Sequence, residues 1–164
     1  MRYFKDENNK IFAFDDNQDE LAVAADQQGL VEITESEKDA LLTPSMATVL
    51  KLKIAEINRD CKAAIEGGFV SNALGQDYTY DSELEDQVNI SGNVQMGIDV
   101  LHKCIDGNGD AAYVTHSAAE MRLVGEHLVA HKLAQLTKAG GLKVQAAAAA
   151  AADDLASLQA ITWS

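Results

Sequence analysis

Large apolar and polar residues alternate along "RYFKDENNKIFAFDD" on both sides of Glu7, Asn8 and Asn9, which predicts two short strands joined by a turn. The acidic, alanine-containing residues 15–29 show no clean period. "GLVEI" then reads as another short strand and leads to Thr34, with Glu37 three residues on, a capping box that opens a short helix through Leu42. Thr43 and the only proline, Pro44, close this N-terminal module, residues 1–43, because proline is accepted in the first turn of a helix and not beyond it.

In the second region, residues 44–164, the period changes. From Ser45, the residues Leu50, Ile54, Ile57, Cys61, Ala64 and Ile65 recur mostly at three and four, predicting a long amphipathic helix that stops at Gly67 and Gly68. "FVSNALGQDYTYD" alternates loosely about Leu74, Gly75 and Gln76, so a second hairpin is expected near residues 69–81, with Phe69, Tyr78 and Tyr80 as its bulky members. Ser82 with Glu85 reads as another capping box, and Leu84, Val88, Ser91, Val94, Ile98, Leu101 and Ile105 form a nearly heptad stripe that carries the predicted helix to "DGNGD". A brief extended "AAYVTH" precedes Ser117 and Glu120. These cap a further helix with Met121, Val124 and Leu128 on its stripe and a break expected at Gly140 and Gly141. The closing "LKVQAAAAAAADDLASLQAITWS" is helical by alanine's propensity, and its small side chains permit close approach of another helix. The resulting fold class is α+β, predominantly α: a small hairpin module with a short helix, then a helical domain of three to four helices with an inserted hairpin.

Composition limits the core and the partners. The hydrophobic fraction of 47% is largely alanine and only 5% of residues are aromatic, which suits close-packed helices better than a thick sandwich. A net charge of −13 repels phosphate backbones and anionic lipid, so neither nucleic acid nor a membrane surface is an expected partner. Two cysteines, Cys61 and Cys104, make no disulfide framework, and no apolar run follows a basic start, so a soluble protein of a reducing cytoplasm is expected.

Candidate chemistry is sparse. His127 and His131 stand four apart on one predicted helix, but no glutamate follows the first and no third ligand is suggested; His131 falls on the apolar face as a structural histidine. "DGNGDAAYVTHS" begins like a calcium loop at Asp106, Asn108 and Asp110, yet Ala111 holds its glycine position and Ser117 its glutamate position, leaving a glycine-rich turn. "DDNQDE", residues 15–20, fails the same template and reads as a solvated acidic loop. Cys61 reads as a small hydrophobe on its stripe, and Cys104 stands near a predicted helix end. No phosphate loop, nucleophile elbow or paired glycosidase carboxylates are recognisable, so no catalytic residue, cofactor or metal is predicted and the chain is read as a non-enzyme. What stands out is "YDSELEDQVNISGN", which places Gln87, Asn89 and Asn93 with Gly92 where a core helix wants leucines.

Those residues carry a resemblance. "INRDCKAAIEGGF", the hairpin into "YTYDSELEDQVNISGN", "DGNGDAAYVTHSAAEM" and the closing "LASLQAITW" resemble an uncharacterised domain of proteins encoded beside tail-fibre genes of tailed bacteriophages. The opening "MRYFKDENNKIFAFDD", with "ITESEKDALLTP" after it, is similar to the beginnings of phage tail-fibre assembly proteins. The chain departs from that pattern at Cys104 and Ile105, where an aromatic residue is common, and in its alanine run. The resemblance implies an assembly chaperone that holds fibre subunits or the fibre tip non-covalently during trimerisation and attachment in the host cytoplasm. Its implied partner is the tail-fibre protein, homo-oligomers being left open, and the amide and glycine face of Asp86, Gln87, Asn89, Gly92 and Asn93 is then either the partner-binding surface or an internal polar cap for the hairpin. The alternative is a structural virion protein permanently attached to the tail or the tail fibre.

Overall fold

The computed structural model describes residues 1–15 and 29–164, so most of the acidic segment 15–20 lies outside the described residues. The chain divides into two compact units, Met1–Val49 and Leu50–Ser164.

In the first unit, β1 (Arg2–Lys5) pairs antiparallel with β2 (Ile11–Phe14), as the alternation predicts, and β3 (Val31–Ile33) pairs on the other side of β1. The turn is an Asx type: the Asp6 carboxylate accepts the N–H groups of Asn8 and Lys10, each at 2.9 Å. Phe4 and Ile33 are buried, and Phe14 meets Phe4 edge to face with ring centroids 5.4 Å apart. The expected capping box opens α1 (Glu35–Leu42), with Glu37 N–H donating to Thr34 Oγ1 and Thr34 N–H to the Glu37 carboxylate.

Helix α2 (Met46–Glu66) starts in the last residues of the first unit, and in the second unit it buries Ile57 and Cys61 and ends before the glycine pair. β4 (Phe69–Ser71) and β5 (Tyr78–Tyr80) form the expected hairpin. The heptad-like stripe after it misleads in its second half. Helix α3 (Leu84–Met96) stops at Met96, and residues 100–105, predicted as its continuation, form strand β6 (Val100–Ile105), paired with β7 (Ala111–His116) to complete a sheet of order β4-β5-β6-β7. The stop is Gly97, at φ +63° with its N–H bonded to the Asn93 carbonyl, a left-handed C-cap that a residue with a Cβ adopts only under strain. Beyond it a second period, Val100, His102 and Cys104, overrides the 4-3-4 spacing of Val94, Ile98, Leu101 and Ile105. The first set turns toward the core and Leu101 and Lys103 face solvent. Cys104 is therefore a buried strand residue, not one near a helix end.

Helix α4 (Ala118–Ala151) carries the predicted cap from Ser117 and Glu120 but does not break at Gly140 and Gly141; it runs on for 34 residues, about 50 Å. Both glycines are exposed in ordinary helical geometry, and the turns around them are fixed by buried Ala139 and Ala146 and by an alanine-rich sequence. The chain then turns at Asp153 into α5 (Leu155–Ala160), whose Leu158 is fully buried. The core of the unit gathers Phe69, Tyr80, Ile90, Cys104, Met121, Val124 and Leu128 between the sheet and helices α3 and α4. No helix among the described residues is long and apolar enough to cross a membrane.

Candidate docking surface

Helix α3 carries all five residues implied as partner-binding, and its start differs from the sequence reading. Ser82 does not cap it. The Ser82 hydroxyl is buried, donating to the Ile65 carbonyl at 2.6 Å and accepting the Gly68 N–H at 2.9 Å, which ties the end of α2 to the chain entering α3. Glu83 is the cap residue, its N–H donating to Asp86 Oδ2 at 3.1 Å.

Three of the five residues are engaged within the chain. Asp86 serves that cap. Gln87 donates from Nε2 to the Ser82 carbonyl at 2.8 Å and accepts Lys132 Nζ at 2.7 Å, linking the start of α3 to α4. Asn93 donates to His102 Nδ1 at 3.3 Å, linking α3 to β6. Asn89 and Gly92 are exposed, and a Cβ on Gly92 would meet open space.

Leu84 and Val88, which the stripe would bury, are instead 69% and 63% exposed. The helix rests on α4 through the next face, where Ile90 is fully buried and Val94 packs against the core. Gly125 permits that contact: a Cβ there would lie 2.9 Å from Val94 Cγ2. Two open clefts flank the helix and share Ser91. One, of about 430 Å³, lies along Ile90, Val94, Gly125 and Val129; the other, of about 470 Å³, along Leu84, Val88, Gln95 and Lys132. Val129 and Leu133, 65% and 63% exposed, extend the apolar surface along α4. Together these make a shallow apolar face with amide and cationic groups at its edge, shaped for contact with a macromolecule.

Beneath that face lies a histidine and tyrosine cluster. The Val114 carbonyl can only accept, so His116 carries its proton on Nδ1, and its Nε2 accepts the Tyr80 hydroxyl at 2.8 Å. Burial pushes the Tyr80 phenol well above its usual range. His102 stacks on Tyr80 and meets His116 edge to face, with centroids 6.1 Å and 6.0 Å away; burial, then the neighbouring His116, lowers its pKa. Burial also raises the Cys104 thiol. The remaining histidines are structural: His127 Nδ1 bonds Ser71 Oγ at 2.8 Å, and His131 Nε2 donates to the Ala64 carbonyl at 3.0 Å while stacking on Phe69. Among the described residues no three His, Cys, Asp or Glu side chains are placed to hold a metal ion. The loop read against the calcium template is the β6–β7 turn, in which Asp106 Oδ1 accepts the N–H groups of Asn108 and Asp110, each at 2.9 Å. Cys61 is buried, its thiol directed at the Gln135 carbonyl on α4 at 3.6 Å.

The exposed apolar surface on α3 and α4 is hidden from sequence reasoning because Leu84, Val88, Val129 and Leu133 all fit core-like helical spacings; only the helix pairing decides which face is left outside. No curated protein and no solved structure matches the chain. Residues 49–161 match the family model described as a domain of unknown function, DUF4376, and the chain belongs to that family.

Proposed function

We propose that this protein is a bacteriophage tail-fibre assembly chaperone that binds fibre subunits or the fibre tip non-covalently, and that it acts by reversible binding rather than catalysis. The observation that carries this reading is the open apolar face of α3 and α4, with Leu84, Val88, Val129 and Leu133 in solvent beside two clefts. Contiguous exposed apolar surface of this kind marks contact sites on soluble domains. The resemblance of the chain's segments to fibre-cluster proteins supplies the partner. On this reading Gln87 and Gly92, which line one cleft, lie on the contact side of α3, Asp86 and Asn93 hold the helix in place, and Asn89 is exposed but lines neither cleft.

The test is capture of the fibre by the full chain from a co-expressing lysate, compared with the double variant Leu84→Glu, Val88→Glu. Both residues are exposed, so circular dichroism of the variant should match the parent while fibre retention falls at least tenfold. Equal retention would remove this face from the proposal, and failure of the unaltered chain to retain fibre would remove the chaperone reading. Counting copies per purified particle separates a chaperone that leaves, with none remaining, from a structural tail protein, with a fixed number.

A further inference from the structure

Strand β7 is an open edge that lacks the usual protections. It is six residues long, about 20 Å, whereas the opposite edge, β4, has three. Edge strands normally carry a charge, a proline or a bulge to discourage pairing, or are kept short. "AAYVTH" has no charged residue and no proline, and it pairs with β6 in unbroken register from Ala111 opposite Ile105 to His116 opposite Val100. No described strand pairs with its outer side. On the sheet face away from the core, Tyr113 and Leu101 are 72% and 66% exposed, with Lys103 between them already paired to Asp81.

Both ends of this edge are acidic. Asp106 and Asp110 stand at the β6–β7 turn, and Asp99 and Glu120 at the other end, where Asp99 accepts the Ala118 N–H. Backbone N–H bonds, that of Asp110 foremost for Asp106 and that of Ser117 for Glu120, hold these two carboxyls below the usual range and hence ionised at neutral pH. A second copy of this chain is a poor occupant, since pairing β7 with β7 in either direction brings carboxylates against carboxylates at both ends.

The geometry points to β7 as a strand-addition site for an extended segment of another protein, apolar on alternate residues and carrying a cation at each end. Main-chain bonds to the free edge would supply binding, Tyr113 and Leu101 a surface for alternate side chains, and the four carboxylates the register. This rests on the binding-protein reading above and gives that protein a second contact, away from α3.

The test uses the full chain and a synthetic peptide of alternating threonine and valine with a lysine at each end. Two controls are the same peptide N-methylated at alternate residues and one with glutamate ends. The expected result is at least tenfold slower amide exchange over residues 111–116 with the lysine peptide, no protection with the methylated one, and at least tenfold weaker binding of the glutamate one. Tyr113→Lys, at an exposed position, should weaken the lysine peptide without changing the fold. Equal binding of the methylated peptide, protection elsewhere in place of 111–116, or dimers of the free chain that protect this strand would each overturn the inference. The fibre-capture assay scores the proposed function separately: peptide binding can fail while fibre is retained, and the reverse.

Discussion

Helices α3 and α4 share the same opening grammar, a capped start and an apolar stripe, yet treat glycine in opposite ways. α3 ends at Gly97, through which its stripe continues, whereas α4 runs through Gly140 and Gly141, at which a helix read from sequence should stop. The difference lies in the chain beyond each glycine. After Gly97 the chain has a strand partner, β7, and three residues that the core accepts only at period two. Past Gly140 and Gly141 the chain has no strand partner among the described residues and an alanine run that remains helical at little cost, while buried Ala146 and Leu158 hold the far end. A glycine thus ends a helix only when the next segment has a better place to go.

The largest effect expected on this pair of helices comes from their contact. Ile90→Ala removes a fully buried side chain that packs α3 against the core beside the cleft lined by Val94 and Val129, and should destabilise the protein by about 2–5 kcal/mol, measured by urea unfolding. A value below about 1 kcal/mol would mean that α3 is only loosely seated. Next is Gly125→Ala, which adds a methyl 2.9 Å from Val94 Cγ2 and should cost about 1–3 kcal/mol. Combining it with Val94→Ala should recover part of that loss. Additive losses in the double variant would mean that the two helices are not held apart by this pair.

The legible parts of the fold are those whose signals are local. The first hairpin, the caps at Thr34 and Ser117, the end of α2 at the glycine pair and the β4–β5 hairpin depend on residues within a few positions of each other. Strand β6 is not legible, because Ile98, Leu101 and Ile105 satisfy helical spacing and only the distant pairing with β7 chooses between periods. Ser82 misleads for a similar reason: its hydroxyl serves Ile65 and Gly68 across a chain reversal, a contact invisible to a short motif. The amides of α3 are recognisable as unusual, but their division between internal bonds at Gln87 and Asn93 and an outward Asn89 requires β6 and α4 to be placed.

Two glycine substitutions test the comparison directly, and their signs should differ. Gly97→Ala forces a Cβ into left-handed geometry and should cost about 1 kcal/mol. Gly140→Ala, in an exposed helical turn with open space around it, should stabilise by up to about 1 kcal/mol. Both are read as shifts in urea midpoint at constant slope. Stabilisation by Gly97→Ala would show that the chain can extend α3 into the β6 segment, and destabilisation by Gly140→Ala would show that α4 uses its glycines for flexing.

The smallest expected effect tests whether β6 takes His102 inward. A half-buried imidazole keeps partial access to water, which screens its charge and limits the effect. Burial and the neighbouring His116 lower its pKa, while Asp86 and Asp81 oppose that shift. With the folded value below the ordinary 6.5, the unfolded chain takes up its proton first as pH falls. The contribution of His102 is therefore complete above about pH 6.5 and is lost as pH falls from there toward the folded pKa. Urea midpoints between pH 8 and pH 5 should decline for the parent, and His102→Asn should flatten part of that decline. An unchanged slope in the variant would place His102 in water, as a helix continued through Gly97 could do, and would remove the Asn93 contact that joins α3 to the strand after it.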